Sequence, residues 1–332
     1  MSEHSSKRTD DRPPGPGLAE ACLWSTVCPL MQMVVFAVLA TGLLWCAVPT
    51  FPPTLRQVLR IIDDLGWESS FLFTGATLLA ALLMVVPLVR LRVGPSLRRE
   101  FGFRRLTAAE VLLITAGVAP LGVLSDQVYR WGLGLNTWLA HAVPELTALT
   151  SMDAIQIVQR QAESTAYPIL LVAIALAPAI GEELVFRGLI GRGLTSRWGV
   201  PAGIALTTLL FALAHGTPAH ALGTVPVGLC LHLLYRATGT LWAPILLHTL
   251  NNAVAVTLMK LHSPVSLAGD SAVLFATLGY LVVIGTLLQQ TKQHRAHNRE
   301  FAATVGHAFP MLAASSIVAF TCVFVWSRVS GL

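Results

Sequence analysis

Long apolar runs separated by short polar connections dominate the hydrophobic pattern of this chain. Stretches that approach the ~20 residues needed to cross a bilayer give nine candidate spans. They are approximately Cys22–Val48, Ser69–Val89, Ala108–Leu124, Pro168–Phe186, Pro201–His215, His220–Tyr235, Leu241–Met259, Ser271–Gln290 and His307–Ser327. The fifth and sixth are short, so one or two of them can be tilted or partly re-entrant. The pattern predicts an all-α, polytopic transmembrane helical bundle of about eight to nine membrane helices with a buried polar site.

These spans divide the chain into four predicted parts. Residues 1–21 are polar and rich in Pro and Gly, which predicts a disordered cytoplasmic tail. Residues 22–167 hold N-terminal membrane helices and the longest polar connection, Ser125–Tyr167. Residues 168–260 form a core that contains every polar motif discussed below, and residues 261–332 hold C-terminal membrane helices. At the start of the third span, Thr107 and Glu110 are spaced as a helix capping box.

Composition and charge agree with an integral membrane protein. Hydrophobic residues make up 54% of the chain and charged residues only 12%, which is outside the range of soluble domains. The net charge of +5 arises from arginines in alternate short loops, so it predicts orientation and not a nucleic-acid partner. With the positive loops inside, the N-terminus is cytoplasmic and the C-terminus lies outside. The cysteines have no paired short spacing, which argues against a disulfide framework or a zinc ribbon.

Three charged residues stand at the end of the fourth apolar run: Glu182, Glu183 and Arg187. An ionisable group at membrane depth costs roughly 2.5–3.5 kcal/mol on insertion scales, so such a cluster is expected to face a cavity or partners. On a helix, Glu183 and Arg187 are four residues apart and can pair, whereas Glu182 points about 100° away. Glu182 is therefore the freer carboxylate and the candidate general base. The alternative is an interfacial salt bridge at a helix end.

Two further polar signals lie in later apolar segments. His215 ends the run that contains Phe211, and His248 and Asn252 are four residues apart on one face of a predicted helix. Each has a structural alternative, namely an interfacial histidine or a polar contact between helices worth ~0.6 kcal/mol. A glutamate, two histidines and an asparagine on three apolar segments favour one shared active site instead.

In this order, the motifs resemble those of the CAAX prenyl protease 2 type, also called the CPBP or Abi family of intramembrane proteases. Its pattern is Glu-Glu-x-x-x-Arg, then Phe-x-x-x-His, then His-x-x-x-Asn on successive helices. The matching residues are Glu182, Glu183, Arg187, Phe211, His215, His248 and Asn252. The resemblance covers residues 168–259, less than a third of the chain. One departure is His232, four residues after Gly228, where the family usually has a second small residue; we interpret it as structural. His220 matches no motif and receives no role.

The resemblance implies hydrolysis of a peptide bond in a membrane-associated protein or peptide, lipidated or not. It assigns water activation to Glu182 and His215 and oxyanion stabilisation to His248 and Asn252, with Glu183 and Arg187 in support. No cofactor is favoured, but a second chemistry stays open in which Glu182, His215 and His248 bind zinc. The expected partners are the lipid bilayer and a protein or peptide substrate. The alternative function is a non-catalytic membrane protein, a scaffold or a transporter, that uses the polar cluster structurally.

Overall fold

The computed structural model describes residues 15–47, 75–76, 78–94, 97–143, 158–159, 162–163, 165–261 and 271–297. The helices in this part of the chain are α1 (Leu18–Ala47), α2 (Val86–Val93), α3 (Leu97–Phe101), α4 (Ala108–Ala116), α5 (Val118–Ala142), α6 (Tyr167–Leu170), α7 (Ala177–Glu183), α8 (Gly191–Leu213), α9 (Pro218–Thr238), α10 (Trp242–Lys260) and α11 (Ser271–His297). Stretches of wider π-helix at Ala80–Val85, Leu171–Leu176 and Leu184–Ile190 join several of them. No strand occurs among the described residues. The predicted all-α fold is confirmed.

The surface of the bundle is apolar, as expected for a protein surrounded by lipid. Met33, Phe275 and Val282 are about 70% exposed although they lie in long helices. Three helical stretches of the described chain are long and apolar enough to cross a membrane, namely Leu18–Leu39, Ala108–Ala142 and Tyr167–Leu213. A shorter apolar helix occupies Val273–Gln289. The predicted span His307–Ser327 lies outside the described residues.

The stretch Tyr167–Leu213 is a hairpin of two antiparallel legs. Its turn is at Gly199, whose φ of 75° is a left-handed conformation that favours glycine. The legs pack so tightly that a Cβ on Gly203 would lie 2.5 Å from the Cα of Thr195. Further along, the rings of Phe186 and Phe211 meet edge to face with centroids 5.1 Å apart. We call the first leg, residues 167–198, the glutamate helix because it carries Glu182 and Glu183.

The hairpin corrects one predicted boundary. The fourth span was expected to end at Phe186, which would leave Arg187 in a cytoplasmic loop. Instead the helix continues to residue 198 and Arg187 is buried, with 1% of its surface exposed. The reason is that Glu183 lies one turn earlier on the same helix and compensates the charge at depth. Arg187 therefore contributes to the core and not to membrane orientation.

Ion pairs and backbone contacts gather several helix ends on one side of the bundle. Arg92 pairs with Glu20 at 2.6 Å, and Arg192 pairs with Glu100 at 2.7 Å. Nearby, Arg104 binds the carbonyl oxygen of Thr238, which ends α9. We call this side the arginine face. Since α10 begins beside it at Trp242 and is 19 residues long, Lys260 lies about 28 Å away, towards the opposite side.

The structure differs from two other expectations, both in the N-terminal half of the chain. The disorder predicted for residues 1–21 does not hold for residues 15–21, because α1 already begins at Leu18 and Gly15 packs against Gly193; residues 1–14 lie outside the described part. The third span was expected to end at Leu124, with a polar connection after it. The helix α5 continues to Ala142 instead, because its polar residues face a cavity. The capping box of Thr107 and Glu110 is confirmed.

Candidate active site

A cavity of about 890 Å³ lies between α5, the glutamate helix, α9 and α10. The four residues predicted to be catalytic all line it: Glu182, His215, His248 and Asn252. They come from two helices and one turn, and they are separated by up to 70 residues in the chain. The structure therefore brings together what the motifs suggested only by their order.

Glu182 presents its carboxylate to this cavity. Its Oε2 atom is 4.0 Å from Nε2 of His248, which is too far for a direct hydrogen bond. The same atom is buried and has no hydrogen-bond partner in the described part of the chain. The gap is wide enough for both atoms to contact the same water or substrate oxygen. Of the two adjacent glutamates, Glu182 is the one in a position to act on a reactant.

Glu183 and Arg187 form a buried pair behind the cavity wall, as their spacing predicted. Nη1 of Arg187 donates to Oε1 of Glu183 at 2.8 Å, and both side chains are fully buried. Nη2 of Arg187 donates to the carbonyl oxygen of Gly228 at 2.9 Å. The guanidinium also lies 4.3 Å from the ring centroid of Phe211. Arg187 thus ties the glutamate helix to α9 and to the end of α8.

His248 contacts Glu183 in a way the sequence did not predict. Its Nδ1 atom is 2.9 Å from Oε1 of Glu183. Because Glu183 is paired with Arg187 it is a carboxylate, which can only accept, so Nδ1 of His248 carries the proton. In a neutral ring Nε2 then faces the cavity as an acceptor. Only the protonated ring can donate from Nε2, which sharpens the oxyanion role predicted for this residue.

His215 is oriented by the backbone of α8, the helix that ends just before it. Its Nδ1 atom is 2.8 Å from the carbonyl oxygen of Phe211, which again requires the proton on Nδ1. Its ring packs edge to face on Phe211, with centroids 4.8 Å apart. The Phe-x-x-x-His motif therefore has a physical basis: Phe211 fixes the ring of His215 with both its backbone and its side chain. This leaves Nε2 of His215 as a hydrogen-bond acceptor.

Asn252 lies one turn beyond His248 on α10. Its Nδ2 atom donates to the carbonyl oxygen of Ile174 at 3.3 Å, in a π-helical stretch of the glutamate helix. Nδ2 of Asn251 lies 3.4 Å from Oδ1 of Asn252 and orients the amide. An amide nitrogen has two hydrogens, so one remains for a ligand in the cavity.

Several cavity residues escaped the sequence analysis. Ser125, Asp126 and Tyr129 of α5 line the cavity, although they were placed in a polar connection. Their spacing of three to four residues continues the cavity face of Val118 and Gly122, a helical period that could have revealed them. His220, which received no role, also lines the cavity and stacks edge to face on His215 at 5.0 Å.

His232 lies outside the cavity wall. It is 2% exposed, and a Cβ on Gly191 would come within 2.6 Å of its Cε1 atom. The larger side chain is therefore accommodated by a glycine on the glutamate helix. This position agrees with the structural interpretation of the departure from the family pattern.

The side chains proposed as zinc ligands can be compared with the needs of a metal site. A structural or catalytic zinc ion requires three or more His, Cys, Asp or Glu ligands around one point. Within the described residues, no group of three such side chains is arranged to hold a metal ion. Glu182, His215 and His248 share the cavity without forming such a group. No step of the chemistry below passes through a metal.

Comparison with known proteins agrees with the family resemblance found in the motifs. Residues 164–254 match the sequence profile of the type II CAAX prenyl endopeptidase Rce1-like family. Neither a curated protein nor a solved structure matches the chain. All seven motif residues, from Glu182 to Asn252, lie inside the matched segment, so the family resemblance seen in the sequence is confirmed. The family is one of proteases, which supports a hydrolase role in the membrane.

Proposed function

We propose that this chain, whose residues 164–254 belong to the Rce1-like family of type II CAAX prenyl endopeptidases, is an intramembrane endopeptidase. It hydrolyses a peptide bond of a membrane-associated protein or peptide with a water activated by Glu182 and His215. The observation that carries this proposal is the division of labour among the polar residues. Four of them line one cavity, while Glu183 and Arg187 lie fully buried behind it.

The first step is attack of water on the carbonyl carbon of the substrate. Glu182 takes a proton from the water, since its Oε2 atom is without another partner in the described chain. His215 offers Nε2 as a second acceptor that orients the same water. The new bond joins the water oxygen to the carbonyl carbon, and the carbonyl electrons move to its oxygen. A buried carboxylate with no competing donor is a suitable base for this step.

The second step is collapse of the tetrahedral intermediate. The remaining amide hydrogen of Asn252 donates to the oxyanion, and a protonated His248 donates from Nε2. Glu183, held by Arg187, balances the positive charge on His248 through the 2.9 Å contact to Nδ1. Glu182 then returns its proton to the amide nitrogen, the carbon–nitrogen bond breaks, and the products are a carboxylic acid and an amine. Atoms and charges balance without an additional reactant.

A comparison of cells tests this proposal directly. Membrane and secreted proteomes from cells with the wild-type chain are compared with those from cells with Glu182→Ala, matched for expression. Glu100→Gln serves as a control because this carboxylate pairs with Arg192 outside the cavity. We expect at least one membrane-associated protein to accumulate uncut only in the Glu182→Ala cells. Identical proteomes in all three would favour the non-catalytic alternative.

A further inference from the structure

The charge of the cavity wall indicates which substrates it accepts. Among the described residues that line the cavity, two carboxylates occur, Glu182 and Asp126, there is no lysine or arginine, and the three histidines carry a charge only when they are protonated. Arg187 is close but is neutralised by Glu183 and separated from the cavity by the wall. A low-dielectric cleft lined by one sign of charge concentrates ligands of the opposite sign. The cavity therefore favours cationic over acidic groups.

Asp126 is held at this wall by close packing between α5 and α9. Oγ of the neighbouring Ser125 donates to the carbonyl oxygen of Gly223. A Cβ on Gly223 would lie 2.9 Å from the Cβ of Tyr129, so the two helices nearly touch here. The packing fixes the rotation of α5 and directs Asp126 towards the cavity. An ionisable residue in a membrane helix that faces a cavity is a candidate for substrate contact.

The partner of Asp126 within the protein is weak. Nε of Arg130 lies 3.3 Å from Oδ2 of Asp126, and the arginine side chain is 47% exposed. Exposed pairs of this i,i+4 type contribute little because water screens them. A cation from a substrate can therefore compete with Arg130 for this carboxylate.

The depth of Asp126 relates it to the bond that is cleaved. The contact of Arg187 with Gly228 marks the level of Glu183 and His248. Gly223, which is beside Ser125, lies five residues earlier in α9, or about 7.5 Å along the helix axis. An extended peptide advances about 3.3 Å per residue. Asp126 is thus about two substrate residues away from the scissile bond, on the side away from the arginine face.

We propose that Asp126 is a specificity residue that binds a lysine or arginine side chain of the substrate, about two residues from the cleaved bond. This inference rests on the proposed function, since it names the substrate class of the same cavity. Asp126 does not touch the reacting atoms. Its contribution is to hold a basic residue so that the neighbouring peptide bond lies between Glu182 and Asn252.

The inference is tested with matched peptides and the purified full-length protein in detergent. The fluorogenic peptides are identical except at one position, which holds Lys, its uncharged isostere norleucine, or Glu. This position is moved along the peptide from one set to the next. A charged hydrogen bond in a partly buried site predicts roughly tenfold higher kcat/KM for Lys than for norleucine at the preferred position. Asp126→Asn should bring this ratio near one, and cleavage of the norleucine peptide by the same variant shows that it folds. Asp126→Lys should favour Glu, and Arg130→Gln should raise the Lys preference.

A binding measurement separates this inference from the proposed function. Affinities of the same peptides are measured for Glu182→Gln and for the double variant with Asp126→Asn. A preference for Lys that is present in Glu182→Gln and lost in the double variant supports the specificity role. It does so even if the wild-type protein cleaves none of the peptides, because that result would count only against catalysis. Equal affinity for Lys and norleucine, or a preference that persists without Asp126, would overturn the specificity role.

Discussion

The carboxylate of Glu183 lies 2.9 Å from Nδ1 of His248, although the two residues are 65 positions apart in the chain. The same oxygen accepts from Arg187 at 2.8 Å. One buried carboxylate therefore compensates a guanidinium and orients an imidazole at once. This arrangement gives the second glutamate of the Glu-Glu pair a role distinct from that of the first, because Glu182 faces the cavity instead.

The two glutamates are expected to respond differently to the same substitution. Glu182→Gln should abolish proteolysis with the protein still folded, because it removes the base, and Oε2 of Glu182 has no hydrogen-bond partner in the described part of the chain. Glu183→Gln should leave partial activity but reduce thermal stability, because it weakens the charge-assisted bonds to Arg187 and His248. Activity and unfolding temperature in detergent are measured side by side. Equal and complete losses of activity with unchanged stability in both would contradict the division of roles.

Arg187 is expected to be important for stability. Arg187→Ala leaves Glu183 as an uncompensated buried charge, a change that typically costs about 3–5 kcal/mol. Expression and activity should therefore fall together. The control is Arg192→Ala, which breaks the partly exposed pair with Glu100 and should cost about 0–1 kcal/mol. A well-expressed, fully active Arg187→Ala protein would contradict the role of the buried pair.

The sequence predicted which motif residues share the cavity better than it predicted the surroundings of that cavity. Glu183 and Arg187 could be paired in advance because they lie on one helix, where spacing determines proximity. The contact of Glu183 with His248 could not, because it depends on how two distant helices pack. Asp126 was missed for a related reason: its polar neighbours lower the local hydropathy, so the helix appeared to end at Leu124. A polar face that lines a cavity resembles a loop when only hydropathy is read.

Gly228 is expected to be intolerant of even a small side chain. A Cβ at this position would lie 2.9 Å from Cδ1 of Phe211, whose backbone and ring orient His215. Gly228→Ala should cost about 1–3 kcal/mol of stability through overpacking and should lower kcat by moving His215. Gly285→Ala is the control, since a Cβ there meets nothing within 4 Å. If both variants keep full activity, the orientation of His215 does not depend on this contact.

The arginines predict the orientation of the protein in the membrane. Reporter fusions after Arg99 and after Lys292 should report the cytoplasm, while fusions near Asp153 and at Leu332 should report the other side. The arginine face gathers Arg92, Arg104 and Arg192 at one end of the bundle, which agrees with this assignment. An external Arg99 reporter would invert the arrangement, and substrates would then have to approach the cavity from the other face of the membrane.

The metal question is open to a direct measurement. If Glu182 and His215 act on water themselves, activity in detergent should survive strong chelators, and purified protein should carry well under one zinc per chain. Asn252 is a poor zinc ligand but a good donor to an oxyanion, and the contact of its amide with Ile174 leaves one hydrogen for this purpose. His248 is already bound through Nδ1 to Glu183, so it offers only Nε2 to the cavity. Stoichiometric zinc, with activity lost on chelation and restored by added metal, would overturn this assignment and make Glu182, His215 and His248 ligands.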